Sequence, residues 1–190
     1  YTKTGIKDFN LAHIFECGQC FRWERQNDGS YTGTAMGKIV NMRFEPEGTL
    51  TVDNCTEEEF MRIWTPYLDL ERDYAKIKSG LKGEQIQKAV EYGYGIRILK
   101  QDFWETLLSF IISQNNNIPR IKGCIEALTH RCGTKIGTYK GKDYYAMPEP
   151  EVLAGMTPDE LVECRLGYRG PYLIKTAQKV LEKGGALAAE

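Results

Sequence analysis

Three adjacent amide side chains, Asn115, Asn116 and Asn117, follow an apolar run and precede Arg120 by a few residues. Asn side chains both donate and accept hydrogen bonds, and Arg offers several donors in a fixed planar geometry. Both residue types form paired hydrogen bonds with the edges of nucleobases. The cluster therefore predicts a site that contacts an exposed base. The structural alternative is that Asn117 caps the next helix while Asn115 and Asn116 lie in solvent.

A second polar group, Gly167-Tyr168-Arg169-Gly170, comes directly before the last predicted helix. Tyr can wedge or stack where a base has left a duplex, and Arg can bond the edge of a base. By itself, the segment is also typical of a turn before a helix. The whole chain has a net charge of −1, but residues 120–143 carry six basic and two acidic side chains. Charge therefore argues against bulk electrostatic binding to nucleic acid and is compatible with a local basic face.

The segment Cys17-Gly18-Gln19-Cys20 has the C-x-x-C spacing of redox pairs and of half zinc sites. A thioredoxin-like pair needs a βαβ context, whereas this motif runs into a predicted meander. A zinc site needs further ligands, and the spacing of Cys124, His130 and Cys132 matches no standard module. We therefore expect no metal and no cofactor, and we interpret the two thiols as side chains that flank a Gly with an accessible backbone. No export signal is recognised, so we expect the six Cys residues to be reduced.

The elements that must position these groups are a sheet followed by helices. Period-two patterns bounded by turn residues predict strands at 21–26, 31–36, 38–44 and 49–53. Capping boxes predict helices that begin after Thr56, Asp102 and Thr157, the last with Pro at its first helical position. The Asp102 helix is apolar on two neighbouring faces, one of which comprises Phe103, Leu107, Phe110, Ile111 and Gln114. We therefore expect this helix to be largely buried.

Two more helices are predicted at 118–131, stopped at Gly133, and at 171–183, ended by glycines. Residues 186–190 have the composition of another helix that is just starting. The fold class is therefore α+β, with an antiparallel sheet subdomain at 1–80 and a mainly helical subdomain at 81–190. No apolar run approaches the ~20 residues needed to span a bilayer, so we expect no membrane partner.

The chain closely resembles the eukaryotic type of 8-oxoguanine DNA glycosylase, a family within the helix-hairpin-helix glycosylase superfamily. The motifs that carry the resemblance are in family order and at family spacing across nearly the whole chain. They are Gly18-Gln19-Cys20-Phe21-Arg22-Trp23, Ile98-Leu99-Lys100-Gln101-Asp102, Ser109-Phe110-Ile111, Asn115-Asn116-Asn117-Ile118-Pro119-Arg120-Ile121 and Leu166-Gly167-Tyr168-Arg169 with Tyr172. The family commonly has small polar residues where this chain has Cys17 and Cys20, so these thiols are interpreted as incidental.

The resemblance implies a role for each of five residues in binding DNA from which one nucleotide has been extruded. Gly18 would offer its carbonyl to the N7 hydrogen that 8-oxoguanine has and guanine lacks. Asn115 would fill the gap left by the extruded nucleotide, and Tyr168 would wedge beside it. Arg120 and Arg169 would bond the cytosine that has lost its partner. The implied substrate is double-stranded DNA with 8-oxoguanine opposite cytosine, bound by a monomer.

The resemblance further implies a catalytic Lys and a catalytic Asp in a helix-hairpin-helix, which we expect beyond Glu190 because no segment here matches that motif. The Lys amine would attack the sugar C1′, expel the base by breaking the glycosidic bond, and form a Schiff base that permits strand cleavage. We therefore predict that a polypeptide of these 190 residues is inactive, and that this helix-hairpin-helix fold is incomplete in it. Borohydride trapping on duplex containing 8-oxoguanine should give no covalent adduct; an adduct would contradict the prediction.

Three functions follow as hypotheses. The first is a base excision repair glycosylase and lyase, which would act in the nucleus of a eukaryote or at the nucleoid in the cytoplasm of a prokaryote. The second is a catalytically inert DNA-binding module. The third is a C-x-x-C redox or zinc protein, which metal analysis and thiol titration would detect.

Overall fold

Two separate units make up the chain, one of residues Tyr1–Gln101 and one that begins at Asp102. The computed structural model describes residues 1–184, so the helix start expected at 186–190 lies outside the described residues. The first unit contains an antiparallel sheet and the second is mainly helical. The predicted α+β class is therefore confirmed. Within residues 1–184, every helix is too short or too polar to cross a membrane.

The sheet of the first unit has five antiparallel strands in the order β1-β5-β4-β3-β2. All four predicted strands are confirmed, whereas the edge strand β1 was missed because two residues are too few to show an alternating pattern. The strands are β1 (Thr2–Lys3), β2 (Trp23–Arg25), β3 (Tyr31–Ala35), β4 (Lys38–Glu45) and β5 (Thr49–Asp53).

Aromatic rings form the centre of the first unit's core. Trp23 stacks on Phe15 with ring centroids 4.1 Å apart, and its Nε1 donates to the Tyr67 hydroxyl at 3.0 Å. Trp64 meets Trp23 edge-on. Because large rings contribute most to apolar burial, these contacts fix β2 against the helices around it.

The helices of the first unit are short, and those at its C-terminal end are exposed. The capping box at Thr56 is confirmed, since the Glu59 N–H donates to the Thr56 hydroxyl and the Thr56 N–H donates to the Glu59 carboxylate. A π-helical turn at Phe60–Trp64 continues that helix. The helices are α1 (Leu11–Phe15), α2 (Glu57–Glu59), α3 (Thr65–Tyr67), α4 (Tyr74–Gly80) and α5 (Glu84–Tyr92).

The sequence pattern places the change from sheet to helix at residue 80, which is the last residue of α4. The first compact unit continues to Gln101. It does so because the segment after α5 packs into the same core: Leu99 is buried there, and the Arg97 side chain is 4% exposed.

In the second unit, α6 packs against α7 and α9, and α8 also packs against α9. The end of α7 at Cys132, next to Gly133, agrees with the predicted stop. The hairpin of β6 and β7 and the short α8 were not predicted. The elements are α6 (Phe103–Ser113), α7 (Ile118–Cys132), β6 (Lys135–Tyr139), β7 (Lys142–Tyr145), α8 (Pro150–Ala154), a 3-10 helix (Asp159–Cys164) and α9 (Arg169–Glu182).

The prediction that α6 is largely buried is wrong. Its buried residues are Leu108, Ser109 and Ile112, whereas Phe103 is 44% and Phe110 64% exposed. An all-round apolar pattern cannot indicate which side of a helix will meet its neighbours. The helix is nevertheless capped as predicted, since the Glu105 N–H donates to the Asp102 carboxylate at 2.8 Å.

The predicted helix after Thr157 is a 3-10 helix in which Pro158 is the residue before the first helical position. The Glu160 carboxylate accepts both the Thr157 N–H at 2.8 Å and the Thr157 hydroxyl at 2.9 Å. The Thr hydroxyl is therefore a donor to the carboxylate here. The last helix begins at Arg169, two residues before the predicted start at Pro171.

Candidate nucleic-acid interface

The junction between α6 and α7 uses two of its three Asn side chains as caps. The Asn117 side chain accepts the Arg120 N–H at 3.0 Å, so Asn117 is the N-cap of α7. Asn116 Nδ2 donates to the Ile112 carbonyl at 3.0 Å, at the C-terminal end of α6. The capping interpretation is therefore confirmed for Asn117, whereas Asn116 bonds the end of α6 rather than lying free in solvent.

Asn115 differs from its two neighbours. Its φ is +47°, a left-handed conformation that Asn adopts more readily than most non-Gly residues. Its side chain is exposed and accepts or donates no hydrogen bond within residues 1–184. The turn thus presents one amide group that is available to a ligand, on a backbone held by the caps on either side.

Arg120 lies in the first turn of α7, and its guanidinium is exposed. The bond from its backbone N–H to Asn117 is its only hydrogen bond to the described part of the chain outside the helix itself. Other cations of the predicted basic segment are paired: Lys135 with Asp143 at 2.7 Å, and Lys142 with Glu126 at 3.2 Å. The Lys135 contact lowers the pKa of the Asp143 carboxyl, so the acid stays ionised. Arg120 therefore supplies free donors in a segment whose charge is otherwise partly neutralised.

The start of α9 holds the Asn115 turn. Arg169 is 3% exposed, and its guanidinium donates to the backbone carbonyls of Gln114 (Nε, 2.9 Å), Asn115 (Nη2, 2.9 Å) and Leu166 (Nη1, 3.4 Å). A second bond from Nη2 also reaches the Gln114 carbonyl. The structure thus brings the Arg169 guanidinium to the backbone of Asn115, a contact that the sequence did not predict. In this conformation four of its five N–H donors bond protein carbonyls.

Tyr168 is half-exposed and rigidly placed at the same turn. Its hydroxyl donates to the Gln114 carbonyl at 3.2 Å, and the Arg169 guanidinium lies 4.4 Å from its ring centroid. Its ring meets that of Tyr172 edge-on. An aromatic ring that is exposed on one side and anchored at its hydroxyl is suited to stacking against a base.

Gly18 lies in the first unit, in the loop after α1. Its φ is +89°, and a Cβ at this position would have no neighbouring atom within 4 Å. No residue in the described part of the chain donates to its carbonyl. The side chains of Gln19 and Gln101 do bond this loop and the segment beside it. Both lie in the motifs that carry the resemblance, but sequence reasoning assigned them no role because their partners are distant in sequence.

All six Cys residues are free thiols. Cys17 donates to the Ile14 carbonyl at 3.4 Å, while Cys20 is buried and directed to the Phe15 carbonyl. Burial raises the pKa of the Cys132 thiol to about 11, and the neighbouring Cys164 adds to that effect. Within residues 1–184, no cluster of three or more His, Cys, Asp or Glu residues could hold a metal ion. These arrangements favour structural roles for the thiols.

Comparison with known proteins agrees with the motifs. Residues 3–107 match the family model of the 8-oxoguanine DNA glycosylase N-terminal domain, and residues 108–189 match that of the HhH-GPD superfamily base excision DNA repair proteins. The N-glycosylase/DNA lyase of Saccharomyces cerevisiae is 32% identical over 188 residues, which cover 90% of this chain and 49% of the yeast protein. The chain spans about half the length of the curated relatives it matches.

Two solved structures are also similar. MBOgg1 in complex with a low-affinity DNA ligand is 47% identical with a TM-score of 0.92, covering 96% of this chain and 63% of that one. The 8-oxoguanine glycosylase/lyase of Clostridium acetobutylicum, in complex with double-stranded DNA containing cytosine opposite 8-oxoguanine, is 45% identical with a TM-score of 0.88. That match covers 93% of this chain and 61% of the bacterial one. On its motifs, its fold and these matches, the chain belongs to the 8-oxoguanine DNA glycosylase family.

Proposed function

We propose that the full-length protein is a base excision repair glycosylase and AP lyase that removes 8-oxoguanine paired with cytosine after flipping the lesion out of the duplex. Family membership supports the reaction, and relatives carry the names N-glycosylase/DNA lyase and 8-oxoguanine glycosylase/lyase. The Clostridium acetobutylicum relative binds duplex with cytosine opposite the lesion, which supports the same substrate here. The protein acts as a monomer, in the nucleus of a eukaryote or at the nucleoid in the cytoplasm of a prokaryote.

The observation that carries the proposal concerns two exposed side chains, Asn115 on a turn of positive φ and Arg120 in the first turn of α7. Neither side chain forms a hydrogen bond to the part of the chain that the structure describes. Asn115 enters the space left by the flipped nucleotide. Arg120 donates to the cytosine that has lost its partner, whose exposed edge offers acceptors. Tyr168 stacks beside the gap. Arg169 joins the contact with cytosine through a rearrangement of its side chain, because the residue is buried and four hydrogen bonds to backbone carbonyls hold it.

Gly18 supplies the lesion contact. Its free carbonyl accepts the N7 hydrogen of 8-oxoguanine, whereas guanine has a lone pair at the same atom. A single donor–acceptor difference discriminates strongly when the wrong base leaves buried groups unpaired. The residues given roles here bind and select DNA, and none of them is assigned to break the glycosidic bond.

The proposal is tested by incubating the full-length protein with duplexes that contain either 8-oxoguanine or guanine opposite cytosine. We expect base excision and strand cleavage at the lesion and none at guanine; in a parallel reaction, borohydride should trap the Schiff base intermediate as a covalent adduct. Selective binding of the lesion duplex without excision would instead identify an inert DNA-binding module. Equal binding of the two duplexes without excision would also identify such a module, without lesion recognition, and the absence of both binding and excision would contradict both functions.

A further inference from the structure

The loop that carries Gly18 is held by the side chain of the next residue. Gln19 Nε2 donates to the carbonyl oxygens of Ile14 at 3.0 Å and Arg97 at 2.9 Å. Gln19 Oε1 accepts the backbone N–H of Leu99 at 3.0 Å. One amide side chain, with both of its donor hydrogens and its oxygen in use, therefore joins the loop to the end of α1 and to the backbone of residues 97–99.

A second amide side chain holds the backbone of the same residue. Gln101 Nε2 donates to the Gln19 carbonyl at 2.6 Å. The segment that supplies these bonds is itself fixed in the core of the first unit. Leu99 is buried there, and the buried Arg97 guanidinium donates to the backbone carbonyls of Lys7, Asp8 and Asp69. The loop is thus tied to residues 97–101, a segment without regular secondary structure that the buried Arg97 and Leu99 side chains fix in the core.

Within residues 1–184, no group donates a hydrogen bond to the Gly18 carbonyl in this anchored loop. A carbonyl that accepts the N7 hydrogen of 8-oxoguanine would face the N7 lone pair of guanine. If the carbonyl could turn aside, guanine would be accommodated with little penalty; if it is held in place, the repulsion persists. Rejection of the wrong ligand by an unfavourable contact needs a group that cannot move away, because functional groups must be held to about 0.5 Å.

We propose that Gln19 and Gln101 are positioning residues that hold the Gly18 carbonyl and thereby set the selectivity for 8-oxoguanine over guanine. The inference rests on the proposed function, since it takes Gly18 as the lesion contact. It extends that function because the selectivity for 8-oxoguanine depends on the hydrogen bonds of the Gln19 and Gln101 side chains as well as on the Gly18 carbonyl itself.

The test is the ratio of dissociation constants of the full-length protein for guanine·cytosine and 8-oxoguanine·cytosine duplexes, both with a 2′-fluoro sugar at the probed purine so that the glycosidic bond is not broken. Gln101→Ala removes a single bond to the loop, and we expect the ratio to fall about tenfold. Gln101→Glu keeps the size but loses the donor, so it should lower the ratio similarly. Partial unfolding would weaken binding to both duplexes alike and cancel in the ratio, which separates positioning from general stability.

The matched control is Gln87→Ala in α5, which also removes one side-chain bond to a backbone carbonyl, that of Leu81 at 2.7 Å. This variant should keep the wild-type ratio. The Gln101 variants should keep the preference for cytosine over adenine opposite the lesion, because Arg120 is untouched. An unchanged lesion-to-guanine ratio in both Gln101 variants would overturn the inference while leaving the proposed function standing. A wild-type protein without lesion preference would overturn both.

Discussion

Arg120→Ala in the full-length protein is expected to reduce the preference for cytosine opposite 8-oxoguanine by about 10- to 100-fold. An Arg that bonds the edge of one base contributes about 1–3 kcal/mol of discrimination against other bases. Because the Arg120 side chain is exposed and forms no hydrogen bond within the described residues, its loss should change the free energy of unfolding by less than about 0.5 kcal/mol. Excision rates from duplexes with cytosine, adenine, guanine or thymine opposite the lesion measure the effect.

The control for the Arg120 variant is Arg131→Ala. Arg131 lies on the same helix, and its Nε donates to the Glu160 carbonyl at 3.4 Å. The substitution removes the same positive charge from α7 without removing the proposed base contact. It should lower DNA affinity for every duplex alike, if at all, and leave the order of opposite-base preference intact. A cytosine preference that survives Arg120→Ala would contradict the role given to Arg120.

Arg169→Ala is expected to destabilise the fold by about 3 kcal/mol. The substitution removes charge-assisted hydrogen bonds to the carbonyls of Gln114, Asn115 and Leu166, each of which contributes more than a neutral bond. Urea denaturation followed by tryptophan fluorescence and by far-UV circular dichroism would measure the difference.

Arg169→Lys keeps the positive charge but changes the hydrogen-bond pattern, so it shows which of the two accounts for the stability that Arg169 contributes. A Lys ammonium is a compact donor and cannot reproduce the planar fork that serves several carbonyls at once, so it should recover only part of the lost stability. Arg120→Ala serves as the comparison, since it removes an Arg that lies outside any such network. Wild-type stability in Arg169→Ala would show that the carbonyl contacts do not hold the Asn115 turn.

The sequence by itself determined the parts of this protein that depend on neighbours a few residues apart. The Thr56 and Asn117 caps bond residues three positions away, so their side-chain types predict helix starts directly. Strands β2 to β5 follow from alternating patterns bounded by turns. The sequence motifs, in family order, also identify the family. The resemblance that they carry assigns expected roles to Gly18, Asn115 and Arg120.

Only the tertiary structure decided which polar groups are free and which are occupied. Arg120 and Arg169 have the same residue type and similar motif contexts. Arg120 is nevertheless exposed, whereas Arg169 bonds the Gln114 carbonyl, 55 positions away. Gln19 bonds backbone groups 78 and 80 positions away, and the exposed faces of α6 follow from its packing on α7 and α9. Such contacts depend on which segments the fold brings together. No periodicity or spacing within one segment contains that information. The hydrogen bonds that anchor the Gly18 loop and those that fix the Asn115 turn are therefore visible only in the folded chain.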